Sequence, residues 1–340
     1  MTSARSLLWL AAFVAITGWG STSLAAQALA SGVEASPANN ILAPVPARAN
    51  IAGVPFFPQE PNQCGPAALA MVAQFAGVKV YPEQLTEQVF LPGRQGSLQL
   101  EMLAGTRRQG LLAYKLAPRL DDLLREVAAG HPVVVLQNVG FGFSPTWHYA
   151  VVVAYDRDAG TLHLHSGATE RLEMTISAFE KTWSTGQQWA MVALEPSRLP
   201  ATAEAEAFLA SAASLERVHP LAASKAYASA LQVWPKLRAG LLGLGNTAYA
   251  LGRFDAAGDA FDQATQYHPD FADGWNNLAQ VRMEQGRLQE ASEAISKAIT
   301  LGGERSLRYV ALQASVRSKL SEQVATPQAK PQQVRTASVD

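Results

Sequence analysis

Cys64 is the only cysteine in the chain, and its surroundings suit a nucleophile. A lone thiol cannot close an intramolecular disulfide, so it acts as a thiol or a thiolate. It lies in Gln59-Glu60-Pro61-Asn62-Gln63-Cys64-Gly65-Pro66, directly ahead of an Ala/Leu/Met-rich stretch. A helix beginning there offers unpaired N–H groups and partial positive charge, both of which favour a thiolate. Downstream, His148 opens the apolar run Tyr149 to Tyr155, and an imidazole within reach of a thiol can take its proton. Attack on a carbonyl also needs donors for the developing oxyanion; the Cys64 N–H and the Gln59 side-chain amide are the candidates. A cysteine among Ala and Leu is otherwise a small buried hydrophobe. The upstream Gln, the following Gly-Pro and the spaced His favour chemistry.

The elements that must position these residues change period along the chain. Val54–Phe57 reads as a short strand and 65–76 as a helix with Pro66 in its first turn, where a missing N–H is harmless. Helices are expected over 81–89, 98–109 and 120–129. Strands follow over 132–137, 149–155, 161–165 and 189–194, from apolar or alternating runs. Asp156-Arg157-Asp158-Ala159-Gly160 is a turn-rich hairpin connection, which accounts for its two aspartates. Helices first and antiparallel strands afterwards point to an α+β layer fold.

Beyond Pro200 the chain turns Ala/Leu-helical and repeats. Ala223, Ala257 and Ala291 recur 34 residues apart, as do Tyr227, Phe261 and Ile295, and Ala230, Ala264 and Ala298. Leu244, Gly245, Trp275 and Leu278 fall in the first helix of each unit. The alanines permit close helix approach and the aromatic fills the gap between helices. This pattern resembles the tetratricopeptide repeat. It implies an all-α repeat domain over 204–304 with a degenerate first unit, a capping helix over 305–321 and a disordered tail over 322–340.

Gln59, Cys64-Gly65-Pro66 and His148-Tyr149 through Tyr155-Asp156 together resemble the C39-like cysteine peptidases of the papain-like superfamily. The likeness spans roughly 50–196 and implies an α+β papain-like domain, its nucleophile helix packed on an antiparallel sheet. By that likeness Cys64 is the nucleophile, His148 the general base and Gln59 the oxyanion donor. The family places an Asp or Asn after the next strand to orient the His. Here the sequence reads Leu164-His165-Ser166-Gly167, so Ser166 or His165 takes that place. A Ser oxygen accepts an imidazole N–H but brings no charge to an imidazolium.

The remaining signals bound the setting. A net charge of -1 gives no basic face for nucleic acid. Arg5 followed by the apolar run Leu7–Ile16 and small residues reads as a signal peptide over 1–30, with a linker over 31–50 and the peptidase domain over 51–198. Export to the periplasm is the expectation; an uncleaved anchor is the alternative, and no span remains after signal removal. No phosphate loop and no convincing metal ligand set is present, although His163 and His165 share a strand face. No cofactor or metal is expected. The expectation is an exported thiol peptidase acting on a peptide or protein, with repeats that bind a protein partner. Acyl transfer to an amine would use the same residues. The alternative is a non-catalytic adaptor whose repeats carry the function.

Overall fold

A computed structural model of the 340-residue chain describes residues 44–140 and 144–325. The signal and most of the linker expected before 44 lie outside the described residues, as does the tail from 326 onward. Among the described residues no helix is long and apolar enough to cross a membrane.

The N-terminal part is built on an antiparallel sheet. Its strands are β1 (Arg48–Asn50), β2 (Leu112–Lys115), β3 (Val133–Asn138), β4 (Trp147–Asp156), β5 (Thr161–Ser166), β6 (Thr169–Thr175) and β7 (Ala190–Leu194). They lie in the order β2-β7-β3-β4-β5-β6, with β1 also on β4. β3 pairs along Trp147–Val152 of β4 and β1 along Ala154–Asp156, so β4 is the long central strand. The β4–β5 connection closes as the sequence predicts, the Asp156 carboxylate accepting from the N–H groups of Asp158 and Ala159.

Helix α1 (Cys64–Phe75) packs on β3, β4 and β7, and Gly65 to Ala73 are all buried. An unbroken run of Ala, Leu, Met and Val has no polar face to show to water, so this helix is enclosed on every side. Around it stand α2 (Pro82–Val89), α3 (Gln99–Arg108), α4 (Leu120–Ala128) and α5 (Ile176–Thr185). α2 packs against α1 and α3, and α5 lies on β3 and β6.

The C-terminal part is all helix: α6 (Ala205–Ala213), α7 (Pro220–Val233), α8 (Arg238–Ala250), α9 (Phe254–Tyr267), α10 (Ala272–Glu284), α11 (Leu288–Leu301) and α12 (Ser306–Ala325). α8–α9 and α10–α11 are the two full units of the 34-residue period. α6 is the truncated first helix of the degenerate unit. Glycines let the rings in: a Cβ on Gly243 would stand 2.2 Å from the Tyr227 ring, and one on Gly245 2.4 Å from that of Phe261. The small residues and aromatics of the repeat are thus two halves of one contact.

Three features depart from the sequence reading. Val54–Phe57 forms no strand; the strand lies earlier, at β1, inside the expected linker. Strands β2 and β6 and helix α5 carry no clear periodic signal; every β6 residue but Met174 is exposed, so apolar alternation is missing there. The last helix runs past 321 to Ala325.

Candidate active site

Cys64 is the first residue of α1, and a tight turn delivers it. The Gln63 N–H donates to the Glu60 carbonyl at 3.0 Å, with Pro61 and Asn62 between them. Asn62 adopts a left-handed φ of 65°, which Asn tolerates better than most residues. No side chain caps α1, so its first N–H groups remain available to the thiol or a ligand. The Gln63 side chain is drawn away, its Oε1 accepting from Thr86 Oγ1 at 2.9 Å.

His148 sits at the start of β4, opposite Gln137 of β3. Its Nε2 lies 2.9 Å from Ser166 Oγ at the end of β5. His165 turns the other way, because adjacent strand residues face opposite sides of a sheet. Its Nδ1 accepts the Arg171 N–H at 3.3 Å, which places its proton on Nε2, donated to the Val54 carbonyl at 3.2 Å. Phe56 covers this ring edge-on. Of the two residues considered for orienting His148, the structure brings Ser166 to the imidazole and uses His165 to pin the strand-like segment at Val54.

Gln59 is braced between two elements. Its Nε2 donates to the Tyr149 carbonyl at 3.1 Å, its Oε1 accepts the Gly167 N–H at 3.0 Å, and its own N–H donates to the Gly167 carbonyl at 2.9 Å. A carboxamide nitrogen carries two hydrogens, so one stays available for an oxyanion.

Gln59, Cys64, His148, Tyr149 and Gly167 all line one cleft of about 1010 Å³. The loop from Arg94 to Gln99 forms another wall, and Trp147 and Gln187 stand at the side of β4 and the end of α5. Sequence reasoning missed these walls. Ser97 in particular packs on the start of α1, since a Cβ on Gly65 would meet its Oγ at 2.3 Å. The Tyr149 hydroxyl donates to the Ser97 carbonyl at 3.3 Å. Nothing local in the sequence ties residue 97 to residue 149.

Burial governs the charge state. It pushes the Cys64 thiol above its ordinary pKa, outweighing the backbone N–H groups of Tyr149, Gly65 and Cys64 itself, which pull it down. Burial also lowers His148 from its ordinary 6.5. Both effects favour neutral groups, so the helix start does not by itself produce the thiolate–imidazolium pair that the sequence suggests. No hydrogen bond joins Cys64 to His148 among the described residues, and such contacts commonly tighten only when substrate binds.

Residues 51–191 match the model of the Peptidase_C39 like family, and 212–266 and 242–305 match the tetratricopeptide repeat. The chain carries a C39-like peptidase domain followed by tetratricopeptide repeats. Solved structures similar to the C39-like domain include a C39-like peptidase from Bacillus anthracis, 17% identical, covering 43% of this chain and 97% of that one, TM-score 0.37. The peptidase domain of Streptococcus ComA, a bifunctional ABC transporter, is 22% identical over 42% of this chain and 99% of that one, TM-score 0.34. Among repeat proteins, the Sgt2 tetratricopeptide domain from Aspergillus fumigatus is 22% identical over 40% of this chain and 92% of that one, TM-score 0.34. No curated protein matches the chain.

Proposed function

We propose that this chain is an exported cysteine peptidase whose repeats hold a protein partner or substrate. One observation carries the reading: Cys64 and Gln59 line a single cleft with His148, more than eighty residues further on, in a C39-like domain, with Ser166 on the imidazole. In the mechanism, His148 donates Nε2–H to Ser166 Oγ and presents Nδ1 as base. As the Cys64 sulfur attacks the substrate carbonyl, its proton passes to Nδ1. The oxyanion is held by the Cys64 N–H and the second Gln59 Nε2 hydrogen. The tetrahedral intermediate collapses, the C–N bond breaks, and His148 returns the proton to the leaving amine. Water, deprotonated by His148, then hydrolyses the thioester and frees the thiol. The charged Arg5 before the apolar run Leu7–Ile16 supports export to the periplasm.

A second reading is favoured by a specific observation. The group on His148 is a hydroxyl, which offers no charge to an imidazolium. A weakly active or inactive domain, serving as an adaptor through its repeats, is the outcome that follows if turnover is absent. The two readings separate in one experiment. The mature chain and its Cys64→Ala form are each incubated with an extract of the same compartment, and the released peptides are compared. Peptides released only by the wild type support the peptidase; identical profiles overturn it and leave the adaptor.

A further inference from the structure

Gln59 occupies a position that the sheet itself would otherwise fill. β4 and β5 pair at Val151 and His165, and the next hydrogen-bonded pair in that register would join Tyr149 to Gly167. The two strands part there. The Gln59 side chain enters the gap, donating to the Tyr149 carbonyl and accepting from the Gly167 N–H, while its backbone N–H reaches the Gly167 carbonyl. A carboxamide has the donor and acceptor of a peptide group, so it continues the ladder where the strand has left.

The consequence falls on Tyr149. Its neighbour across β3 is Leu136, whose N–H donates to the Trp189 carbonyl, away from β4. Tyr149 and Leu136 therefore form a non-hydrogen-bonded pair, and the N–H and C=O of Tyr149 both point towards the parted edge. The carbonyl is held by Gln59. The N–H is left facing the cleft that Cys64 also lines, and it is the foremost of the backbone groups that pull the thiol's pKa down against burial.

We propose that Gln59 is a positioning residue as well as an oxyanion donor: it replaces the missing strand beside β4 and so keeps the Tyr149 N–H aimed at Cys64 Sγ. Tyr149 thereby becomes, through its backbone, a further group of the active site, stabilising the sulfur anion before substrate carbonyl chemistry begins. The inference rests on Cys64 being the nucleophile.

Iodoacetamide alkylation separates this role from an oxyanion role, because displacement of iodide generates no oxyanion. Rates are measured against pH for the full chain and for Gln59→Ala and Gln59→Leu, with thermal melting as the fold control. Loss of one hydrogen bond to the thiolate is expected to move the profile to higher pH and slow alkylation about tenfold at a fixed pH below it. An unchanged profile with reduced peptide release overturns the positioning role and leaves Gln59 acting on the oxyanion alone. The unsubstituted protein supplies an independent readout: the ¹⁵N-amide resonance of Tyr149 should titrate with Cys64 and lose that titration in Cys64→Ala. A Tyr149 amide that does not follow the thiol overturns the inference even if a variant fails to fold. Identical peptide profiles for wild type and Cys64→Ala would instead remove the peptidase reading, so the two failures are distinct.

Discussion

At the scale of residues, burial decides how the site begins its chemistry. The depressed pKa of His148 means that the imidazole stays a free base below its ordinary 6.5. Protonation abolishes that base, so kcat/KM should hold as pH falls through 6.5 and decline only at lower pH; a decline already centred at or above 6.5 would contradict this. Ser166 offers a second handle. Ser166→Asp places a carboxylate beside Nε2, favours the imidazolium and should move the acid limb to higher pH, measurable by NMR titration of the His148 ring. An unmoved titration would mean that residue 166 does not bear on the imidazole. Cys64, His148 and Gln59 were legible as site residues from their types and positions. The protonation states of Cys64 and His148 were not, since desolvation depends on what the rest of the fold puts around them.

Among the elements, period was the readable quantity. Helix α1, the apolar β4 and the 34-residue repeat all announce themselves in residue spacing. β6 does not, because one face after another is exposed and any polar pattern satisfies it. β2 is four residues long, too short for alternation to stand out. The glycines of the repeat are legible only with their partners in view. Gly245→Ala drives a methyl to within 2.4 Å of the Phe261 ring, and overpacking of that kind costs about 1–3 kcal/mol. Thermal melting should show the loss, and an unchanged melting temperature would mean that α8 and α9 can slide apart freely.

For the whole molecule, the apolar core crosses the boundary that composition suggests near 198. Phe208, Leu209, Ala212 and Leu215 of the α6 region, with Ala223, Ala226, Tyr227 and Ala230 of α7, belong to the same buried cluster as the sheet. A second cluster serves α8 to α12. Polar ties reinforce the seam. Glu126, fully buried, accepts from the N–H groups of Ala201 and Thr202 and from Thr202 Oγ1, and contacts His131 Nδ1 at 2.7 Å. The first helices of the repeat region thus share their buried core with the C39-like domain. Phe208→Ala should cost about 3–5 kcal/mol, the range for truncating a buried aromatic. The loss should appear in the transition that also exposes the sheet, followed by near-ultraviolet circular dichroism of Trp183 and Trp189. If only a separate helical transition moved, α6 would belong to the repeats alone.

The sequence by itself determined which side chains can react, that a helix follows Cys64 and an apolar strand follows His148, and the period of the repeat. These are local properties, carried by residue type and spacing. The tertiary structure decided that Ser166 and not His165 meets His148, that burial raises the Cys64 pKa and lowers that of His148, and that Gln59 fills the gap between parted strands. Each of those depends on groups brought together from 90 or more residues away, or on which face of a strand a single residue takes. Spacing can name a nucleophile, but only the packed fold sets its charge and its neighbours.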